Sequence, residues 1–448
     1  MNSTQPTMKR NLVMSMLALS MAGMSLSTQA KSNSDEIQQL HQEVQELREL
    51  LSQYAGQQKI QAQHLQAVQA TSATTALPVQ APMSATQKGL GMTVGKAEVS
   101  FYGNVRADAS YQAEGGSAAR LYNQISTVPL KGYKESSDQF KSTLSATRLG
   151  ADFKTSTQGG DVGGKIEVDF LGGPGLDTLR IRHAYVNYND WLIGQTWSNF
   201  AVPDYMPESI DALGYVGGAV KRTPQVRHTT KFNPATNLVV ALEDPKDGSS
   251  NMRLPALTAR VNHKISDTAA MSLRGMVNDK RTDADNETAW GVGAGLKYEM
   301  MPGTTFKADY YHVKGDSSFV SWANSGFVVN TNKDIVATNE FDSITVGLTQ
   351  QFNPQWRGTL GYGYMKADNN QDYINALIAS TPANEDSYAT KANKNLWQAW
   401  GNVFYSPTKP LSFGLEYVYG EREAFKAAPN GSTTGEDNRV SAVAIYNF

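Results

Sequence analysis

From residue 97 onward the chain is written in short stretches of alternating side chains, and none of them is long or apolar enough to cross a membrane as a helix. The stretch 178–197, TLRIRHAYVNYNDWLIGQTW, is the most telling. It alternates, turns on Asn189-Asp190 and alternates again, which reads as two antiparallel strands joined by a two-residue hairpin. Arg180 and Arg182 share a face with Ala184, while the opposite face begins with Leu179, Ile181 and, past His183, Tyr185. A strand with two cations on one side and mostly apolar groups on the other needs water on one face and an apolar medium on the other.

About sixteen such segments follow one another, at 98–112, 145–155, 162–171, 178–188, 191–196, 225–232, 237–243, 256–265, 270–278, 288–299, 304–314, 341–352, 355–366, 395–405, 411–420 and 439–448. Their connections alternate too. Short turns fall at 158–160, 189–190, 233–234, 266–267, 302–303, 353–354 and 406–407, and the links around 114–143, 198–224, 315–340 and 368–394 are mostly long and polar. Short turns at one end and long loops at the other predict an all-β chain, a transmembrane antiparallel β-barrel of about 16 strands. A soluble sandwich has no reason to keep that alternation. Val99, Phe101 and Val105, then Ile166, Val168 and Phe170, are expected to face outward, and aromatics recur near strand ends as in interfacial girdles. The chain ends Tyr446-Asn447-Phe448. A terminal Phe with an aromatic two residues earlier resembles the signal by which outer-membrane barrels engage their assembly machinery.

Met8-Lys9-Arg10, the run LVMSMLALSMAGMSL and the exit Ser27-Thr28-Gln29-Ala30 have the layout of a secretory signal over 1–30. Ile37, Leu40, Val44, Leu47, Leu51 and Tyr54 then step by three and four, and the register resumes at Leu65 and Val68. That a/d seam predicts a short periplasmic α-helical coiled coil over 31–70, with a single amphipathic helix as the alternative. Leu51 and Leu65 at a positions favour an oligomer above the dimer, a trimer by preference. Residues 71–96, rich in Ala, Thr, Pro and Gly, read as a linker to a barrel over 97–448. The absence of cysteine fits passage through an oxidising periplasm and excludes thiolate metal sites. Lys and Arg number 40 against 42 Asp and Glu, so no general basic field argues for nucleic acid, and any charge effect must come from local segregation.

On a barrel, a Lys or Arg facing lipid near mid-bilayer costs ~2 to 4 kcal/mol, and in a wet lumen it costs little. Arg106, Arg148, Lys165, Arg180, Arg182, Arg227, Lys231, Arg260, Lys264 and Arg274 are therefore expected to point inward from the early strands as one basic wall. Arg148, Lys165, Arg180, Arg182, Arg227, Lys231, Arg260 and Arg274 are the candidate solute-binding set. The alternative is that the cations are paired with Glu167, Asp169, Asp108 and Asp152 and merely solvate the lumen. With the amino terminus in the periplasm, the link 198–224 is the third loop on the long-loop side, and it carries Asp204, Tyr205, Glu208 and Asp211, ending at Lys221-Arg222. By resemblance to outer-membrane porins, whose third loop folds into the barrel and narrows it, this is the candidate constriction loop, its acids then opposing the wall; an exposed loop with ordinary charges is the alternative. With both arginines inward, His183 is expected to face out, covered by a neighbouring subunit rather than by lipid.

No cofactor or metal is expected. Asp283, Asp285 and Glu287 lack the Gly and spacing of an EF-hand, and GVGAG at 291–295 is read as letting a strand bend or pack closely rather than as a nucleotide loop. A barrel enzyme would have to use His183, His228, His263 or His312, and neither a nucleophile elbow nor an HExxH motif accompanies them. A structural tether or adhesin, with the coiled coil as its working part, is the other alternative.

The heptads over 37–68, the LRIRHAYVNY strand with its NDWLIGQTW continuation, and the terminal Phe448 together resemble the DcaP-type outer-membrane porins. The resemblance implies a homotrimeric sixteen-stranded channel embedded in outer-membrane lipid, its amino-terminal coiled coil in the periplasm. It also implies small carboxylate solutes, dicarboxylic acids above all.

Overall fold

The structure is a computed structural model that describes residues 91–116, 121–173, 177–383 and 385–448. The signal, the coiled coil and residues 71–90 of the linker lie outside the described residues.

The strands, in chain order, are β1 (Gly91–Val94), β2 (Ala97–Glu114), β3 (Gln139–Thr143), β4 (Arg148–Thr157), β5 (Gly160–Asp169), β6 (Arg180–Tyr188) and β7 (Trp191–Trp197). They continue as β8 (Arg222–Asn233), β9 (Thr236–Glu243), β10 (Ala256–Lys264), β11 (Ala269–Arg281), β12 (Asn286–Met301) and β13 (Thr304–Lys314). After the small hairpin β14 (Phe327–Val329) and β15 (Ile335–Thr338) come β16 (Glu340–Gln351), β17 (Trp356–Ala367), β18 (Asn393–Thr408), β19 (Leu411–Ala424) and β20 (Thr434–Asn447). Two helices, α1 (Gln371–Ala379) and α2 (Tyr388–Lys391), lie in the connection between β17 and β18. The Asn370 side chain caps α1 by accepting from the backbone N–H of Asp372 and Tyr373.

Each barrel strand pairs antiparallel with its neighbours, and β2 closes the ring on β20 with Asn104 opposite Asn447 and Ser110 opposite Ser441. β3 and β4 both pair with β2, at Asp108–Gln112 and Glu98–Asn104, and together serve as one strand, so the barrel has sixteen. The seam ends on Phe448, whose backbone exchanges hydrogen bonds of 3.1 and 3.0 Å with Gly103. The aromatic terminus is thus built into the closure of the ring.

Alternation places the apolar residues as expected. Phe101, Val105, Ile166, Trp290, Val292, Phe413 and Leu415 are exposed on the outer surface. Inside, the largest apolar cluster joins wall residues Tyr311, Phe341, Met365 and Leu396 to Ile125 and Val128 of the first connection and to Phe200 and Val216 of the third. The core therefore lies between loops and lumen wall, in the half of the barrel that carries the long connections.

The facing expected for β6 is overturned beyond Arg182, for Tyr185 as well as for His183. The β5–β6 register shifts between Glu167, opposite His183, and Val168, opposite Ile181, which leaves Arg182 as an extra residue in β6. A bulge lets two successive side chains share one face. Arg182 and His183 are both buried on the inner side, the His183 Nδ1 lying 3.0 Å from Thr196 Oγ1 and its ring 5.5 Å from that of Trp197. His183 is an inner-wall residue and covers no outer surface.

Candidate functional site

The third connection, 198–221, lies against the lumen side of ten strands' worth of wall, from β10 round to β2, and each anchor is specific. Asp204 meets Arg260 of β10 at 3.4 Å. The Tyr205 ring fills the space a side chain at Gly295 would occupy, since a Cβ there would stand 2.2 Å from it. Arg274, held by Asp309 and by the Tyr311 hydroxyl at 2.6 Å, lies 5.4 Å over the same ring. Lys307 donates to the Met206 carbonyl at 3.0 Å, and Pro207 packs on Gly347. Glu208 accepts a bidentate pair from Arg357, at 2.9 Å from Nε and 2.8 Å from Nη2.

Beyond Glu208 the loop crosses to the last strands. Its carbonyl accepts from Trp400 and Asn402, each at 3.1 Å, and Arg106 donates to the Ile210 carbonyl at 2.5 Å. Asp211 pairs with Arg439 at 2.9 Å, and the Tyr215 hydroxyl donates to Glu416 at 2.5 Å. Gly217 runs with φ +94° so close to Ile344 that only glycine fits, and Gly363 leaves the same allowance for the Val216 carbonyl. The first connection backs the third: the Asn123 side chain donates to the Gly214 carbonyl at 2.9 Å and its N–H to Asp211 at 2.7 Å.

The loop acids are thus not a free negative surface. Asp204, Glu208 and Asp211 each meet a barrel guanidinium, so they fasten the loop to the wall. Tyr205 is buried in that docking, and Lys221 makes no ion pair among the described residues.

The wall residues divide in the same way. Eight of the ten early cations have a carboxylate partner: Arg106 with Asp108, Lys165 with Asp152, Arg180 with Asp169, Arg182 with Glu167 and Asp169, Lys231 with Asp190, Arg260 with Asp204, Lys264 with Asp267 and Arg274 with Asp309. Lys231 and Lys264 sit at the short-turn end, where their partners are turn residues. Among the described residues Arg148 and Arg227 have no ion pair, and the Nε of Arg148 is buried without a hydrogen-bond partner. Arg222 joins them: its guanidinium lies 4.4 Å over the Trp197 ring, which Arg182 flanks at 6.0 Å. The register aligns Asp169 with Arg180 and Trp197 with Arg222, and Arg148 precedes Leu149, the partner of Val168. Arg148, Arg180, Arg182 and Arg222 therefore form a lateral row across β4–β8, facing the part of the lumen that the loop leaves uncovered.

Arg357, Arg439, Glu416 and Gln398, whose side-chain oxygen accepts from the Val216 N–H at 3.3 Å, hold the loop and are not in the candidate set. Their inward parity is readable, but which of them the loop reaches depends on its path. Trp197 was likewise invisible as the ring under a guanidinium.

A closed sixteen-stranded ring with an apolar outer surface, a polar inner wall and a loop docked within it defines an outer-membrane β-barrel channel of the porin class. The DcaP outer membrane protein family model matches residues 24–448, and the chain belongs to that family. The solved outer membrane channel DcaP of Acinetobacter baumannii is 36% identical, with a TM-score of 0.71 over 81% of this chain and 100% of that one. An anion-selective porin from Comamonas acidovorans (12% identity, TM-score 0.51, 79% of this chain and 100% of that one) shares the fold. OmpT of Vibrio cholerae (14%, 0.51, 80% and 99%) shares it too. No curated protein sequence matches the chain. The protein is a bacterial outer-membrane channel and not an enzyme.

Proposed function

We propose that the channel passes small anionic solutes, dicarboxylic acids by preference, along the guanidinium row and through a lumen narrowed by 198–221. The observation that carries this reading is that Arg148, Arg222 and Arg227 make no ion pair among the described residues, whereas eight other cations of the early strands each have a carboxylate partner. A guanidinium without a carboxylate partner raises the local concentration of anions and binds a carboxylate bidentately. Two such groups on one wall suit a solute with two carboxylates. Under a KCl gradient in planar bilayers, the reversal potential is expected to have the sign of an anion-preferring pore; a cation preference sinks the reading.

The channel is proposed to work as a homotrimer, and the outer surface supports a sector for the contacts. At the extracellular ends of β12, β13, β18 and β19 the outward residues are Trp290, Tyr310, Trp397 and Tyr419, aromatics suited to a lipid headgroup level. At the same ends of β6 and β8–β10 they are Ile181, Val226, Leu242 and Leu257. Val226, Leu242 and Leu257 are cross-strand partners in one apolar row. A charge at this height costs only about 0–1 kcal/mol against lipid but far more in a packed contact. Leu242→Arg is expected to convert the detergent-purified oligomer to monomer, read by light scattering; an unchanged mass would place the contact elsewhere.

A further inference from the structure

The three loop carboxylates are held very differently. Asp211 is sealed with Arg439, both side chains about 1% exposed. Glu208 is doubly bonded to Arg357, and its carbonyl is taken by Trp400 and Asn402. Asp204 makes one long contact of 3.4 Å with a single Nη of Arg260, and its side chain is 37% exposed. The Nε of Arg260 is buried without a partner.

Arg227 stands close by. It faces Ala241 of β9 on one side, and Arg260 faces Val239 of the same strand on the other, so the two lumen-facing arginines are two strands and two residues apart. At ~4.8 Å per strand that is about 10 Å laterally between backbones, within the combined reach of two arginine side chains. Arg260 and Asp204 are among the charges acting on Arg227, which has no ion pair of its own among the described residues. The loop backbone at Asp204 does not depend on the pair, because the Tyr205 ring on Gly295 and the Lys307 bond to the Met206 carbonyl hold the following residues.

We propose that Arg227 and Arg260 form a carboxylate-binding station in the lumen, and that Asp204 is its resident, exchangeable ligand. An arriving solute carboxylate takes the two-point geometry that Asp204 leaves unfilled on Arg260, with Arg227 as the second cation, and Asp204 swings to water. When the solute leaves, Asp204 returns and spares the guanidinium an uncompensated charge, so release is assisted. Binding then stays weak enough for passage, as a conducting site requires. Asp204 selects against solutes that meet Arg260 no better than it does itself, which disfavours halide relative to carboxylate. This inference rests on the anion-channel reading.

The test uses the full-length protein in planar bilayers, with succinate as the probe and its half-saturating concentration for modulating the KCl current as the readout. Asp204→Asn is expected to lower that concentration about threefold to fivefold, the range of an exposed ion pair. On an Arg227→Gln, Arg260→Gln background the same change should bring no gain. If Asp204→Asn leaves succinate binding unchanged or weaker while the reversal potential still reports anion preference, the exchange is overturned and the anion channel stands. A gain that persists without the two arginines also overturns it, because the effect would then come from a loosened loop. A cation-preferring wild type would instead fail the underlying reading.

Discussion

Arg439→Met is expected to unseat the third connection, raising single-channel conductance and lowering the melting temperature together. The guanidinium and Asp211 are about 1% exposed and 2.9 Å apart, and Arg439 also donates to the Leu121 carbonyl at 3.0 Å. Removing one partner of such a pair leaves a buried carboxylate uncompensated, which costs about 3–5 kcal/mol. The strands themselves do not need the pair, since the ring is closed by its ladders on both sides of β20. Relief should come from freeing the loop. Asp211 moves toward water, carrying with it the Asn123 and Leu213 N–H groups that it now accepts from at 2.7 and 2.8 Å. A wider lumen follows. The double variant Arg439→Met, Asp211→Asn removes both charges and should recover most of the stability, because an isosteric neutral pair avoids the buried ion. Single-channel recordings beside thermal unfolding in detergent decide the matter: an Arg439→Met protein with wild-type conductance and wild-type melting would show that the pair does not hold the loop.

Strand existence was legible because the membrane imposes a simple rule on each segment. The segment 304–314 coincides with Thr304–Lys314, and 355–366 is displaced by one residue from Trp356–Ala367. The misses are concentrated where the strands rise above lipid. β19 runs on to Ala424 and β20 begins at Thr434, beyond the expected 411–420 and 439–448. There Glu421, Glu423 and Glu436 stand on the outward side in water, so apolar–polar alternation disappears although the backbone pairing continues, with Glu421 opposite Glu436.

The site was legible as a set of inward cations and opaque as a set of pairs. Parity places Arg274 and Asp309 inside, but that they meet depends on β11–β13 register, which no local pattern encodes. His183 shows the limit of parity itself, since one extra residue opposite Glu167 turns it from lipid side to lumen side. The GVGAG run gave a partial signal. Its reading as a place of close packing fits what the fold puts there, the Phe200 ring against Gly291 and Tyr205 against Gly295, yet nothing in the run names the loop as the neighbour.

Arg148→Gln, Arg222→Gln and Arg227→Gln combined are expected to abolish anion preference, whereas Arg180→Gln and Arg182→Gln combined should mainly weaken folding. The difference follows from the partners. Arg180 and Arg182 are matched by Asp169 and Glu167 at 2.6 Å, so removing both arginines leaves two carboxylates buried in the wall and destabilises the β5–β6 pair. The other three make no ion pair among the described residues, so their loss strands no buried partner and removes positive charge from the lumen wall. At an effective dielectric of about 20, a unit charge acts on a solute anion at 4 Å with about 4 kcal/mol, and 0.1 M salt screens it over about 10 Å. Losing three such charges on one wall therefore outweighs any single change elsewhere in the lumen. The reversal potential should fall to near zero or change sign at low salt, and the shift should shrink as KCl is raised. If the triple variant inserts with normal melting and keeps the wild-type reversal potential, selectivity does not come from the unpaired guanidiniums, and the field would have to be sought in the ion-paired residues of the loop and wall.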